Sequence, residues 1–72
     1  MLRIGIVGCG FIGSELARFI VNYLDDQAQL IAIYDHHEQK AYKLADELSH
    51  HPYVIPLESI PLHCDLLIEA AS

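Results

Sequence analysis

Basic residues are scarce in this sequence. Four lysines and arginines stand against ten aspartates and glutamates, and the formal net charge is −6 at pH 7. The basic residues are scattered along the chain and form no cluster in the sequence: Arg3, Arg18, Lys40 and Lys43. Because binding to nucleic acid or to an anionic membrane requires clustered positive charge, neither kind of partner is expected.

Cysteine is also rare, with two residues among 72, Cys9 and Cys64. Two such distant cysteines do not form a disulfide scaffold and are typical of a reducing compartment, so a cytoplasmic protein is expected. Cys9 lies where a helix is predicted to begin, and a helix N-terminus lowers the pKa of a thiol. The alternative, which we favour, is that Cys9 fills a variable position in a loop.

Long apolar runs and metal-ligand spacings are absent as well. The apolar stretch after Met1 is too short and too interrupted by glycine for a signal peptide or a membrane span. The five histidines include two adjacent pairs, and no His-x-x-x-His or Cys-x-x-Cys spacing occurs, so no metal site is predicted. No Ser–His–Asp or paired-carboxylate arrangement can be read either, and no catalytic residue is assigned.

The sequence does contain regular apolar periodicity. The 72 residues allow one compact unit at most, without a second domain, and the 53% of hydrophobic residues indicate a folded core rather than disorder. Apolar runs of strand length occupy residues 2–7, 30–34, 53–55 and 65–70. Helical stripes separate the first three runs, over residues 11–24 and 38–49. Residues 56–61 are expected to form a connection with at most one helical turn.

This alternation predicts an α/β fold with parallel strands and right-handed crossovers. The expected arrangement is β-α-β-α-β-β with strand order 3-2-1-4, the first half of a doubly wound sheet. Its ligand crevice should lie at the carboxyl ends of strands 1 and 4, where the strand order reverses. The edge and parts of both faces of the fourth strand would remain open, so self-association into a homo-oligomer is expected.

A glycine motif, Gly8-Cys9-Gly10-Phe11-Ile12-Gly13, connects the first strand to the first helix. In this position the first glycine allows a sharp turn, the second leaves room for a pyrophosphate, and the third lets the helix lie close to the strand. The phosphates would meet free N–H groups at the positive end of the helix. The loop therefore predicts a dinucleotide site without a cation; the alternative is a glycine-rich turn that binds nothing.

Asp35 is the second element of the motif. It follows the second strand, 22 residues after Gly13, where the Rossmann fingerprint places an acidic residue that accepts hydrogen bonds from the adenosine ribose. The alternative is a solvated aspartate or a helix cap. His36 stands where NADP-binding proteins often have an arginine and could reach the adenosine 2′ position. Asp35 should repel a 2′-phosphate, so NAD is expected as cofactor, with NADP possible.

Glu69 is unusual because it is a carboxylate within an otherwise apolar strand. A buried charge needs partners, so we expect its side chain to turn toward the crevice or to bond to neighbouring backbone. A catalytic role for Glu69 is less favoured.

Both ends of the chain resemble known enzyme families. The opening, MLRIGIVGCGFIG, is similar to that of many nicotinamide-dependent oxidoreductases, including the glucose–fructose oxidoreductase and the aspartate/homoserine dehydrogenase families. The closing string CDLLIEAAS resembles the Asp-x-x-x-Glu-Ala-Ala-Ser ending of the fourth strand in L-aspartate dehydrogenases. The glucose–fructose oxidoreductase type usually has threonine-proline in place of Ala71-Ser72.

The resemblance to L-aspartate dehydrogenases implies a Rossmann domain joined to a second domain that holds the amino-acid substrate and a catalytic histidine. Such enzymes oxidise L-aspartate to iminoaspartate with NAD(P). The chain would be the amino-terminal part of the Rossmann domain and inactive alone. The residues implied in cofactor binding are Gly8, Gly10, Phe11, Ile12 and Gly13 at the pyrophosphate, Asp35 at the adenosine ribose, and Ala70, Ala71 and Ser72 beside the nicotinamide ribose.

Two alternatives remain open at this point. Within the enzymes, the chain could belong to a homoserine dehydrogenase or to a sugar oxidoreductase of the glucose–fructose type. Outside them, it could be a nucleotide-binding module that holds a dinucleotide without turning it over, since one fold serves many functions.

Overall fold

The computed structural model describes residues 1–71 and confirms the predicted fold class. The expected contact of Ser72 lies outside the described residues. Four parallel strands form one sheet in the order β3-β2-β1-β4. The elements are β1 (Leu2–Val7), α1 (Phe11–Tyr23), β2 (Ala28–Tyr34), α2 (Glu38–Glu47), β3 (Tyr53–Val54), a 3₁₀ helix (Leu57–Leu62) and β4 (Leu66–Glu69).

Strand register brings three chain segments to the same edge of the sheet. The last residue of β1, Val7, pairs with Tyr34 of β2 on one side and with Glu69 of β4 on the other. Because parallel strands run in the same direction, the residues that follow these three positions emerge side by side. The glycine loop, Asp35 and the end of β4 are therefore neighbours.

The two α-helices pack on one face of the sheet and build the main core. Each isoleucine, leucine or valine side chain buried there stabilises the fold by about 1.5–3 kcal/mol relative to exposure. The core includes Ile4, Ile6, Leu30 and Ile33 from the strands and Ala17, Ile20, Val21, Ala41 and Leu44 from the helices.

The opposite face is covered in part by the 3₁₀ helix. Its Ile60 is fully buried and packs so closely on Gly5 that a Cβ at that glycine would come within 2.6 Å of the Ile60 Cγ2 atom. The sequence predicts one helical turn at most in this connection, but the observed 3₁₀ helix is longer than one turn. The packing of Ile60 on the sheet accounts for the longer helix.

An ion pair fixes the start of β4 against β1. The carboxylate of Asp65 accepts hydrogen bonds from the Arg3 backbone N–H at 2.9 Å and from the Arg3 guanidinium at 3.0 and 3.2 Å. These bonds lower the pKa of Asp65 to about 2. The Arg3 side chain is therefore held in this ion pair within the fold.

Three positions differ from the sequence expectation. α2 ends at Glu47, because Leu48 turns to an extended backbone and buries its side chain. Ile12 does not face the sheet; its side chain is 64% exposed, since the first turn of α1 lies beyond the carboxyl end of β1. Glu69 is exposed rather than buried, because β4 pairs on one side only among residues 1–71. No helix within residues 1–71 is long and apolar enough to cross a membrane.

Candidate functional site

Gly8 makes the turn out of β1 with a backbone that other residues rarely adopt. Its φ is 105°, in the left-handed region that favours glycine. A Cβ at this position would also stand 2.6 Å from the backbone nitrogen of Ala71. Both constraints exclude a side chain, so Gly8 holds the loop against the chain that leaves β4.

Gly13 allows α1 to lie directly on this turn. A Cβ at Gly13 would overlap the carbonyl oxygen of Gly8, and that oxygen belongs to the backbone and cannot rotate away. The close approach of helix and loop that the motif predicts is therefore present in the structure.

Gly10 differs from the other two glycines because its surroundings are open. Apart from its chain neighbours, no described atom lies within 4 Å of the position that its Cβ would take. It is the N-cap of α1, and no side chain caps the helix there. The first N–H groups of a helix have no intrahelical partner, so this end of α1 offers donors for an anion. The space and the donors fit a pyrophosphate.

Asp35 connects the glycine loop to the start of α2. Its Oδ2 accepts a hydrogen bond from the Cys9 backbone N–H, and its Oδ1 accepts one from the His37 backbone N–H, each at 2.7 Å. Partial burial opposes ionisation, but these two bonds, together with the charges of Lys40 and His37, lower the pKa of Asp35. Asp35 is therefore an ionised carboxylate held in one orientation.

Replacing Asp35 by asparagine should destabilise the fold by about 1–3 kcal/mol, because the amide nitrogen cannot accept a hydrogen bond and leaves one N–H unpaired. Since the folded-state pKa is lowered, the stabilisation is present at neutral pH and is lost as the pH falls through the aspartate range. The difference in unfolding free energy between parent and Asp35→Asn, measured by urea denaturation, should therefore shrink toward low pH. A difference that does not change with pH would contradict this role.

Cys9 does not have the reactive thiol that a helix N-terminus favours. The residue is 5% exposed, and its Sγ lies 3.5 Å from the carbonyl oxygen of Tyr34. Burial, followed by the nearby charge of Asp35, raises the pKa of the Cys9 thiol to about 11. Desolvation outweighs the helix end, and Cys9 fills the loop as a small buried side chain.

A cleft of about 660 Å³ lies at the carboxyl edge of the sheet. It brings together every site residue predicted from the sequence apart from Gly13, which lies beneath the loop, and Ser72, which is outside the described residues. The residues lining the cleft are Gly8, Gly10, Phe11, Ile12, Asp35, His36, His37, Lys40, Ala70 and Ala71. Within residues 1–71, no three His, Cys, Asp or Glu side chains come together as metal ligands.

His37 and Lys40 line the cleft but are not among the predicted site residues. The Asp35–His37 bond spans two residues, the pattern by which an aspartate side chain bonds to backbone just ahead of it, and this signal could have identified His37. Lys40 lies in the first turn of α2, close enough to Asp35 to lower its pKa. The position of α2 relative to the cleft is not encoded in a motif.

Comparison with known proteins agrees with this architecture. Residues 2–70 match the model of an oxidoreductase family with an NAD-binding Rossmann fold. A solved structure that bears the name of a myo-inositol dehydrogenase from Sinorhizobium meliloti 1021 superposes on the whole of this chain with a TM-score of 0.83, at 23% identity. The match covers 21% of the chain in that structure. At that identity the likeness shows the fold alone.

Relatives named L-aspartate dehydrogenase match along the whole chain. The identity is 40% for the protein of Methanococcoides burtonii, 42% for that of Methanosarcina mazei and 44% for that of Methanocella arvoryzae. The chain spans about a quarter of the length of these curated relatives, 26–27%. Because residues 2–70 match the model of that family, this chain belongs to the oxidoreductase family with the NAD-binding Rossmann fold.

Proposed function

We propose that the chain is the NAD(P)-binding portion of an L-aspartate dehydrogenase. The dinucleotide-binding part of this proposal rests on one observation, the open, uncapped start of α1 at Gly10 beside the carboxylate of Asp35. The choice of L-aspartate rests on the relatives of that name, which match along the whole chain, and on the Glu-Ala-Ala-Ser ending. The substrate domain and the homo-oligomeric state stay predictions.

The lining of the cleft supports the following arrangement of the cofactor. The pyrophosphate lies over Gly10 and accepts hydrogen bonds from the N–H groups at the start of α1. The adenosine ribose donates hydrogen bonds to Asp35, whose oxygens each retain a lone pair besides the one used by Cys9 or His37. The nicotinamide half passes beside Ala70 and Ala71. Bound NAD supplies the hydride acceptor, and the residues of this chain bind and orient it.

Cofactor preference should depend on His36, which lines the cleft together with Asp35. An imidazole can donate a hydrogen bond to a 2′-phosphate, and such a bond would offset part of the repulsion between Asp35 and that phosphate. NADP affinity should therefore fall relative to NAD affinity when the imidazole is removed.

The comparison that isolates His36 is between the parent and His36→Ala, with NAD and NADP dissociation constants measured by calorimetry. We expect the ratio of NADP affinity to NAD affinity to be lower in His36→Ala. The same ratio in both proteins would make His36 an ordinary surface residue.

The activity test uses the protein at the natural length encoded by its gene. NADH formation is followed with L-aspartate, L-homoserine and a sugar as alternative substrates, and we expect L-aspartate alone to be oxidised. The 72-residue chain alone should show no turnover, because the resemblance implies that the catalytic histidine belongs to the second domain. Oxidation of homoserine or sugar instead, or NADH formation by the 72-residue chain, would contradict the proposal.

A further inference from the structure

The side of α1 that faces away from α2 carries two exposed aromatic side chains. Phe19 is 51% and Tyr23 72% exposed, and the centroids of their rings lie 5.4 Å apart. Arg18 marks the opposite side of the helix, because its guanidinium pairs with Glu47 of α2 at 2.9 Å. Around the helix, the buried Ile20 faces the sheet between Arg18 and the two rings. The two rings therefore lie on the side of α1 toward β4.

β4 continues this apolar surface on the sheet itself. Leu66 and Ile68 pair in register with Ile4 and Ile6 of β1, which belong to the core beneath the helices. Because paired residues of neighbouring strands lie on the same face of a sheet, Leu66 and Ile68 lie on the face that carries α1. Leu66 is 45% exposed there, and Ile68 is half-buried. We name as the α1–β4 surface the strip formed by Phe19, Tyr23, Leu66 and Ile68.

The next crossover of a continuing sheet would not cover the α1–β4 surface. Crossovers between parallel strands are right-handed, so the face on which a connection lies depends on the direction in which it crosses the sheet. α1 and α2 lead from β1 toward β3 and lie on one face, whereas the 3₁₀ helix leads back from β3 to β4 and packs on the other face at Gly5. A connection from β4 to a strand on its edge away from β1 continues in this second direction, and it would lie on the face of the 3₁₀ helix.

We propose that the α1–β4 surface is the docking site of an amphipathic helix from a part of the protein that lies beyond that crossover. A helix fits because the faces of such sheets are covered by helices lying side by side, each with an apolar stripe toward the sheet. The docked helix would lie beside α1, with its stripe on the two aromatic rings and on Leu66.

The choice of a segment of the same polypeptide rests on length and charge. The inference depends on the proposed function, in which the chain is one portion of a longer enzyme. The chain spans 26–27% of the curated relatives it matches, so most of a protein of that length would follow residue 72. A second copy of this chain is disfavoured as the occupant, because each copy has a formal net charge of −6 and two copies repel each other.

The first test asks whether Tyr23 is covered in the protein at the natural length encoded by its gene. Hydroxyl radicals oxidise exposed tyrosine rings, and mass spectrometry gives the rate for each ring in the native protein and in urea. Tyr53 is the matched control, because it is 68% exposed among the described residues and lies in β3 at the opposite edge of the sheet. Tyr23 should lose most of its oxidation when the protein folds, and more than Tyr53 does. A Tyr23 ring that keeps most of its oxidation in the native protein would overturn the proposal.

The second test identifies the occupant by cross-linking. The photoreactive residue benzoylphenylalanine is incorporated at Phe19 or, separately, at Tyr23, and the cross-linked peptides are identified by mass spectrometry. We expect a cross-link within one polypeptide to a helical segment beyond the first 30 or so residues after Ser72, since a crossover unit takes about 30 residues. A cross-link to a second copy, a cross-link to the crossover itself, or no cross-link from either position would overturn the proposal.

NADH formation from L-aspartate, measured on the same protein, separates this inference from the proposed function. Turnover by a protein in which Tyr23 stays open to oxidation would overturn the docked helix and leave the proposed function standing. A gene that encodes no residues beyond Ser72 would overturn both.

Discussion

Gly10→Val should fold like the parent and lose NAD binding by at least about 100-fold, or about 2.8 kcal/mol. Apart from the chain neighbours, no described atom lies within 4 Å of the Gly10 Cβ position, so the first atom of the new side chain meets no clash in the fold. Its backbone, with φ −75° and ψ −156°, is extended and open to any residue. The branched side chain would instead occupy the space into which the pyrophosphate must come to reach the N–H groups of α1.

Two measurements separate binding from folding in this variant. Calorimetry gives the NAD affinity, and thermal unfolding gives the stability, which should change by about 1 kcal/mol or less because glycine and valine differ only modestly as N-caps. Gly10→Ala should give a smaller loss of affinity with the same fold. NAD binding by Gly10→Val at the parental affinity would show that the phosphates do not approach this glycine.

Gly13→Ala should have the opposite signature, a loss of stability of about 3 kcal/mol or more. The added methyl group would overlap the backbone oxygen of Gly8, so α1 would have to move away from the turn. Alanine is favoured over glycine within a helix by about 1 kcal/mol, but this gain is smaller than the cost of separating two packed backbones. A small domain has only about 5–15 kcal/mol of stability in total, so a loss of this size removes a large share of it.

The control for Gly13→Ala is Gly10→Ala, which adds the same methyl group three residues earlier in the chain. Urea denaturation of the two variants should show a large loss for Gly13→Ala and about 1 kcal/mol or less for Gly10→Ala. Equal stability of the two would mean that α1 does not lie on the Gly8 carbonyl as described.

The sheet could be predicted from the sequence because its signals are local and agree with one another. The absence of polar alternation in β1 indicates a strand covered on both faces, and the four-residue spacing of Leu16, Ile20 and Leu24 indicates a helix. Once strands and helices alternate, the handedness of crossovers leaves few arrangements. The strand order and the position of the glycine loop at the carboxyl edge followed from this.

Side-chain environments were less predictable because they depend on where each element ends in space. Ile12 continues the apolar stripe in the sequence, but the helix extends past the sheet at that residue, so the side chain lines the cleft. For Cys9 the favoured interpretation, a residue that fills the loop, agrees with its burial against Tyr34, which raises the thiol pKa and outweighs the helix N-terminus. Glu69 lies in an apolar run and is exposed because β4 is at the edge.

The candidate site likewise has parts that the sequence predicts and parts that it does not. The glycine motif and Asp35 are recognisable because the spacing of the fingerprint reflects backbone geometry. Arg18, Lys40 and Lys43 come to line one cavity only through the packing of the fold, and a count of scattered basic residues gave no sign of it. The absence of a basic run in the sequence thus did not exclude a local concentration of positive charge in the fold.

The most direct test of the central claim is a crystal structure of the protein with NAD bound. We predict pyrophosphate oxygens within hydrogen-bonding distance of the N–H groups at the start of α1, with the adenosine ribose hydroxyls on the carboxylate of Asp35. No cationic side chain should touch the pyrophosphate, because the glycine loop contains none. A pyrophosphate bound by lysine or arginine side chains away from Gly10, or an adenosine ribose that does not reach Asp35, would contradict the account.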